Sequence, residues 1–365
     1  MPSRAVVWFR RDLRTADHPA LLAALAAADQ VVPVFVVDRT LLHGRTSGPN
    51  RRAFLHGALQ ALARDLEALG GRLLLREGDP VTVIPALARE AAADAVYCSR
   101  EYTPYARRRD AAVEQALRAD GRALHAMPGV YLSDFDELST AEGTPFRIHA
   151  PFARAAKAAA WDDPLPAPTR VPVPTGPAPR ACGRPGPRSP SMGYAPPPGD
   201  PTLPPPWSGC GGSWSGGSTG TRGRGTSWAP TAPRGSARTC FGLVSPRQVA
   251  VAVAGVPGAM GGGRRSGEQP RRAGGRQTFI NELLWRDFYG YVLYHQPESA
   301  WEHMRPQFAR FHFEDDPDGL AAWREGRTGY PLVDAGMRQL TGQGWVHNRA
   351  RMVVASFLTK HLLVD

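Results

Sequence analysis

A stretch in the last quarter of the chain carries the residues best suited to chemistry. It runs from Thr278 to His295 and reads TFINELLWRDFYGYVLYH. At a helical period Glu282, Trp285 and Arg286 gather on one strip. A carboxylate can accept hydrogen bonds from a base edge, an indole can stack on the base, and a guanidinium can hold a phosphate. The strip therefore indicates a nucleic-acid site, with an ordinary i,i+4 surface pair of Glu282 and Arg286 as the alternative.

The same stretch has an apolar side, which requires a core to pack against. The apolar residues that recur at the helical period are Phe279, Leu283, Phe288 and Val292. Tyr289 falls on the neighbouring polar strip. The pattern predicts an amphipathic helix that lies on the surface of a helical domain.

Three motifs in the last part of the chain follow the order found in one known family. They are NELLWRDFY, GYPLVDAGMRQL from Gly329 to Leu340, and GWVHNRARMVVASFL from Gly344 to Leu358. Together they resemble the flavin-binding helical domain of the DNA photolyase/cryptochrome family. The opening VVWFRRDLRTADHPAL, from Val6 to Leu21, resembles the first strand and loop of the same family. The resemblance covers roughly residues 4–160 and 241–365.

The first 160 residues alternate predicted strands with predicted helices. Strands are predicted at 5–9, 31–38, 72–75 and 95–98, and helices at 19–28, 51–69, 81–93 and 105–118. This alternation predicts an α/β Rossmann-like parallel sheet domain covered by helices. Residues 277–365 are predicted to form helices at 278–295, 319–325, 331–341 and about 344–363. The resemblance implies that these belong to an incomplete all-α FAD-binding domain.

A long irregular segment, residues 161–276, separates the two predicted domains. From 165 to 276 it holds fourteen Arg, no Lys and only Asp200 and Glu268, a net charge of +12 that leaves −1 for the rest. The net charge of +11 is thus a property of this segment and does not by itself indicate a nucleic-acid partner. Its Pro, Gly, Arg, Ser and Ala content is typical of a disordered linker.

The composition of this segment also fits a coding sequence read in the wrong frame, because Pro, Gly, Arg, Ala and Trp are the residues with G/C-rich codons. Read two nucleotides later, Thr231 to Thr239 can give Arg-Thr-Ser-Arg-Leu-Ser-Pro-His-Leu, directly before the in-frame Phe241. Thr-Ser-x-Leu-Ser-Pro resembles the family's loop for the flavin pyrophosphate. We therefore predict a frameshifted segment that ends near Cys240, whereas 255–276 is either a variable loop or another error.

The resemblance implies a light-driven lyase in which reduced FAD donates an electron to a cyclobutane pyrimidine dimer in UV-damaged DNA. Glu282 would hydrogen-bond the base edge of the dimer, and Trp285 would stack on it. Met352 would pack on the dimer as an apolar wall. The implied catalytic residues are Glu282, Asn348 and Met352. Plain packing remains the alternative for Trp285 and Met352.

The remaining site residues are also assigned through the resemblance. The implied DNA contacts are Glu282, Trp285, Arg286, Asn348 and Arg349, and the implied flavin contacts are Phe279, Arg286, Asn348 and Arg351. Asn348 can donate and accept at once, which suits a base edge or a flavin edge. The alternative to a flavin contact for Arg351 is a structural role. His347 is expected to cap a helix or join a polar network rather than act as a base.

A second, antenna chromophore is implied for the sheet domain, at the ends of the strands. Tyr105 and Ala106 stand where folate-binding members carry Asn-Glu, so a deazaflavin or flavin is expected rather than a folate. For each residue of the run Arg107 to Arg109 a solvated helix face is the preferred expectation. His149-Ala150 replaces the Phe-Thr that is more usual where the chain leaves this domain.

Several classes of protein are not expected. The start of the chain is charged and does not resemble a signal peptide, and no run of about 18 apolar residues could span a membrane. A cytoplasmic protein with no membrane partner is therefore expected. The protein is also expected to be a monomer. The four cysteines are widely spaced with no CxxC pair, which argues against a disulfide framework and a metal site.

Two rivals to an active photolyase remain open. A cryptochrome photoreceptor would share the flavin site and signal without repair, although Glu282, Trp285 and Met352 together favour repair. A non-functional remnant is the other rival, because the last predicted helix has no C-cap and family members continue beyond Asp365. Loss of the pyrophosphate loop and later flavin contacts predicts no stoichiometric flavin in the purified chain.

Overall fold

The structure, a computed structural model, describes residues 2–44, 47–159, 161–174, 241–254 and 270–364. These residues form two compact units. The first contains the described residues up to Ala300, and the second contains those from Trp301 onward. The predicted domain limit at residue 277 falls within the first unit. The segment 175–240, which holds most of the predicted frameshift, lies outside the described residues.

The first unit contains a sheet of five parallel strands in the order β3-β2-β1-β4-β5. The strands are β1 Arg4–Phe9, β2 Gln30–Val37, β3 Leu74–Glu77, β4 Ala95–Ser99 and β5 Ala123–Met127. The predicted Rossmann-like class is confirmed. The sequence pattern does not predict β5, because this edge strand is only partly buried and lacks the continuous apolar run of the inner strands.

Five helices connect the strands: α1 Pro19–Ala27, α2 Arg39–Leu42, α3 Pro49–Ala68, α4 Pro80–Glu90 and α5 Pro104–Ala119. Side chains of Asp38, Asp79 and Thr103 accept hydrogen bonds from the free amides at the starts of α2, α4 and α5. Pro near the start of four of these helices already has the φ that a helix requires. The predicted helices therefore form within one turn of the expected limits.

Alternate residues of β1 face two apolar layers. Val7 and Phe9 pack on the layer that contains Leu59 of α3. Val6 and Trp8 pack on the opposite layer, formed largely by α4 and α5. These four side chains of β1 are each at most 2% exposed. Burial on both faces explains why β1 reads as a continuous apolar run rather than as an alternating strand.

Residues 161–174 extend the first unit along the sheet. Val171 is fully buried, and its amide donates to the Leu69 carbonyl at 2.8 Å. The Val31 amide of β2 donates to the Pro172 carbonyl at 2.8 Å. This stretch of the predicted irregular segment therefore has a defined place, because its backbone bonds and one apolar side chain are satisfied by the sheet domain.

Residues 241–254 are a second part of the predicted irregular segment that has a defined structure. They end in helix α7, Pro246–Ala254, and bury Val249 and Val253 at a helical spacing. The Leu13 amide donates to the Phe241 carbonyl at 3.2 Å. Gly242 has φ of +69°, a left-handed conformation that favours glycine.

Three helices complete the first unit: α6 His149–Ala158, α7, and α8 Pro270–His295. They share an apolar core with the short 3-10 helix Phe135–Glu137. The largest fully buried side chains of this core are Phe135, Phe152 and Tyr291. Helix α8 therefore has one side in this core along the stretch that the sequence singles out.

The second unit contains α9 Pro317–Glu325, α10 Pro331–Gln343 and α11 Asn348–Lys360. Its core is formed by Val333, Met337, Val354 and Phe357. The prediction of a last helix from about 344 to 363 is wrong at both ends. Gly344, with φ of +65°, closes α10, and α11 starts only after His347.

None of the helices within the described ranges is long and apolar enough to cross a membrane. The described residues also contain no cluster of His, Cys, Asp and Glu that could hold a metal ion.

Candidate functional site

Helix α8 presents the predicted polar strip to solvent. Glu282 is exposed, and the side chains of Trp285 and Tyr289 are 39% and 59% exposed. Leu283, Phe288 and Val292 are buried on the opposite side, and Phe279 is partly buried against the same core. The predicted amphipathic helix is confirmed, because the apolar and exposed residues separate at the helical period.

The indole of Trp285 lies against an imidazole. The ring centroids of Trp285 and His149 are 3.6 Å apart and their planes differ by 3°. Phe288 meets Trp285 edge-on at 5.9 Å, and Tyr289 lies 5.7 Å away with its ring 28° from parallel. Trp285 is therefore an exposed ring with aromatic support, which is the geometry of a stacking platform rather than of a fully buried core residue.

Arg286 turns away from Glu282. Its Nη2 donates to the Val130 carbonyl at 2.8 Å, and its Nη1 lies 3.3 Å from Asp287 Oδ1. The guanidinium also lies over the Tyr131 ring, 4.6 Å from the centroid. Arg286 therefore attaches α8 to the loop after β5, and the alternative of a surface pair with Glu282 is not formed.

Asp287 is fully buried and is not among the predicted site residues. Its Oδ2 accepts a hydrogen bond from the Leu132 amide at 2.7 Å. Burial raises the pKa of this carboxyl to about 6, although Arg286 and the Leu132 amide act in the opposite direction. The available signal was a carboxylate on the apolar side of an amphipathic helix, between Leu284 and Phe288. Such a position needs a local partner.

The other predicted site residues lie together on α11 of the second unit. Asn348, Arg349, Arg351 and Met352 are all exposed, and Met352 is 64% exposed. The opposite face of α11 carries the buried Val354 and Phe357. The exposure of Met352 therefore argues against plain core packing of this side chain within the second unit.

His347 is the N-cap residue immediately before α11, as expected for a capping residue. Its Nδ1 accepts a hydrogen bond from the Arg349 amide at 3.2 Å. This contact satisfies one of the free amides of the first turn and leaves Asn348 at the first helical position.

The residues predicted to bind the flavin differ in how free their side chains are to contact it. The Asn348 amide and the Arg351 guanidinium are exposed on α11, and together they offer a donor, an acceptor and a positive charge. This set suits the edge of a flavin ring and a pyrophosphate. Arg286 fits less well, because the protein itself occupies its guanidinium.

The carboxyl ends of the central strands carry a second group of charged residues. After β1, Arg10 Nη1 contacts Asp110 Oδ1 at 2.6 Å, and the Arg10 amide donates to Asp12 Oδ1 at 2.6 Å. Burial alone would raise the pKa of Asp12, but the His18 imidazole and the Arg10 amide hold it well below its usual range. Ligands bind at this edge in parallel sheets of this kind, so these residues are where an antenna chromophore is expected.

Tyr105 also lies at this edge, where its hydroxyl donates to the Asp38 carboxylate. Burial and this hydrogen bond raise the pKa of Tyr105 to about 12. The expectation of a solvated face is wrong for Arg109, which is 7% exposed and lies 4.8 Å from the Trp8 ring centroid. Its charge is balanced by Asp110 at 2.8 Å. Arg107 and Arg108 are exposed, as expected.

Two family models match this chain. The model described as DNA photolyase matches residues 5–171, and the model described as the FAD binding domain of DNA photolyase matches residues 279–365. A deoxyribodipyrimidine photo-lyase from Streptomyces griseus is 37% identical and is matched over 100% of this chain and 76% of its own length.

Solved structures show the same likeness. A bacterial class III photolyase from Agrobacterium tumefaciens has a TM-score of 0.81 and 32% identity, over 100% of this chain and 74% of that one. A cryptochrome from Synechocystis sp. has a TM-score of 0.82 and 25% identity, over 100% of this chain and 76% of that one. The fold and the order of its parts are therefore shared with both proteins.

Proposed function

Because this chain belongs to the DNA photolyase/cryptochrome family, we propose that it repairs cyclobutane pyrimidine dimers in DNA by light-driven electron transfer from reduced FAD. The observation that carries the proposal is the exposed pair of Glu282 and Trp285 on α8, a carboxylate beside a supported aromatic ring. When bound, FAD supplies the excited electron donor. The chain supplies binding, orientation and electrostatics.

The dimer must leave the duplex to be bound, which costs less for a damaged and poorly stacked pair. Trp285 stacks on the extruded bases, and Glu282 accepts hydrogen bonds from their N–H groups. Arg349 on α11 contacts a phosphate, and Met352 offers an adaptable apolar surface. Both side chains are exposed, so neither has to leave a packed core to do so.

Asn348 and Arg351 hold the flavin, as their exposed positions on α11 allow. A deazaflavin or flavin antenna binds at the strand ends near Asp38 and Tyr105. Tyr105 and Ala106, which stand in the place of the Asn-Glu pair of folate-binding members, support this choice over a folate. The partner is UV-damaged DNA, and the protein acts as a cytoplasmic monomer.

A photoreceptor without repair activity is the second candidate, supported by the similarity to the Synechocystis cryptochrome. Repair is the better-supported function because the carboxylate, the stacking ring and the methionine are all present and exposed.

The test is repair of a dimer-containing oligonucleotide by the full chain, with excess FAD, a reductant and blue light. Repair is expected in light and not in darkness. Glu282→Ala should reduce the repair rate while the flavin content stays the same. Glu298→Gln, which removes another exposed carboxylate at the end of the first unit, is the control and should leave repair unchanged. Binding of flavin without any light-dependent repair by the unaltered chain would contradict the proposal in favour of a photoreceptor.

A further inference from the structure

His149 makes the shortest ring-to-ring contact within the described part of the chain, at 3.6 Å from Trp285. It is the first residue of α6, and its imidazole also meets Phe288 edge-on at 5.6 Å. Helix α6 is attached to α8 a second time, because Lys157 Nζ donates to Asn281 Oδ1 at 2.6 Å. The two helices therefore fix the imidazole against the indole before any ligand binds.

The contact is a face-to-face stack and not a hydrogen bond. With the planes only 3° apart, the His149 ring covers one face of Trp285, and the indole is still 39% exposed. His149 Nε2 is buried and has no hydrogen-bond partner among the residues that the structure describes. Burial and the Lys157 ammonium lower the pKa of His149, which favours the neutral imidazole. The histidine thus contributes its ring surface and not a charge.

We propose that His149 is a positioning residue for damaged DNA: it covers one face of Trp285 and holds the indole so that an extruded base stacks on the opposite face. This inference rests on the proposed function. It assigns a role in substrate binding to the start of α6, at a position where the chain carries histidine in place of the more usual phenylalanine. A free indole would rotate about its side-chain bonds, and the base would have to immobilise it on binding.

The experiment measures the affinity of the full chain for a single-stranded oligonucleotide with one cyclobutane dimer, against the undamaged oligonucleotide. His149→Ala should weaken binding of the damaged strand by roughly two- to tenfold, the range of an aromatic pair. His149→Phe, which keeps a ring at this position, should restore it. In a Trp285→Ala background His149→Ala should cause no further loss, because it acts through that indole.

His125 provides a matched control, because it is also a histidine stacked on an aromatic ring but is not part of this strip. The ring centroids of His125 and Tyr97 are 4.7 Å apart. His125→Ala should leave the preference for damaged DNA unchanged, and thermal unfolding of each variant separates loss of fold from loss of binding. Equal affinity of the unaltered chain and His149→Ala would overturn the positioning role alone. An additive loss in the double variant, or failure of His149→Phe to rescue a folded protein, would overturn it as well. No preference for damaged DNA in the unaltered chain would overturn the proposed function together with this inference.

Discussion

Trp285 is exposed to solvent yet supported by rings on two helices, which distinguishes it from a surface tryptophan. Trp285→Ala removes the stacking surface. We expect it to weaken binding of dimer-containing DNA by about 1 to 3 kcal/mol per stacked base, with flavin content retained. Trp301→Ala is the control, because Trp301 is 79% exposed and outside the strip. Loss of flavin and of DNA affinity to the same extent would mean that Trp285 only supports the helix.

Asp287 makes the stability of the first unit depend on pH. Burial raises its folded pKa to about 6 from 3.8, so the folded state holds the proton more tightly than the unfolded state. The unfolding free energy should therefore fall as pH rises from about 4 to about 7, by about 3 kcal/mol in total for this group. Above about pH 7 the carboxyl is ionised in both states and its contribution is constant.

Asp287→Asn should remove this pH dependence, because the amide does not titrate and its oxygen can still accept from the Leu132 amide. Urea unfolding at about pH 4.5 and about pH 7, roughly on either side of the shifted pKa, measures how much the unfolding free energy changes with pH. The variant should lose less stability than the unaltered chain between these two conditions. An equal loss in both proteins would show that Asp287 is not responsible.

At the scale of elements, the turn before α7 depends on Gly242. Its φ is +69°, and a Cβ there would lie 2.0 Å from the Arg11 carbonyl oxygen and 2.5 Å from Asp12 Cα. Gly242→Ala should destabilise the first unit by at least about 2 kcal/mol, because both the backbone conformation and the contact with backbone atoms are unfavourable.

Gly57→Ala is the matched control for this substitution. Gly57 lies inside α3, and a Cβ there would meet nothing within 4 Å. Alanine should stabilise the helix by roughly 0.5 to 1 kcal/mol. Thermal unfolding of the two variants should therefore shift in opposite directions. A small effect of Gly242→Ala would mean that the turn before α7 adjusts without cost.

At the scale of the whole molecule, the composition of the middle segment leads to a prediction about the gene. The nucleotide sequence between the codons for Pro164 and Phe241 should contain an insertion or deletion whose correction restores Thr-Ser-x-Leu-Ser-Pro before Phe241. The in-frame Phe241 and Leu243 pack on the sheet domain, as expected of residues that follow the corrected stretch. An uninterrupted frame exactly as translated would contradict the frameshift.

Flavin content tests the same feature in the protein. If the frameshift prediction is right, the chain lacks a loop for the flavin pyrophosphate, and we expect it to hold much less than one FAD per molecule after purification. Arg351 alone offers too few charged contacts to bind the two phosphates tightly. The ratio of flavin to protein absorbance measures this. Tightly bound, stoichiometric FAD would show that this loop is not required.

The amino-acid pattern was sufficient for the inner strands, the connecting helices and the two faces of α8. These features depend on burial periodicity, capping residues and glycine positions, all of which are local along the chain. The pattern did not predict β5 or the bounds of α11. β5 is a partly buried edge strand without a continuous apolar run. The start of α11 depends on a glycine and a histidine that separate two apolar runs.

Contacts between residues far apart in the chain required the folded molecule. Glu282 and Trp285 could be singled out from their types and spacing, but the stack of Trp285 on His149 joins residues more than a hundred positions apart. The same holds for Arg286 with Val130 and for Asp287 with Leu132. A local pattern specifies which side of a helix is apolar, whereas tertiary packing decides which partner covers each polar or aromatic group.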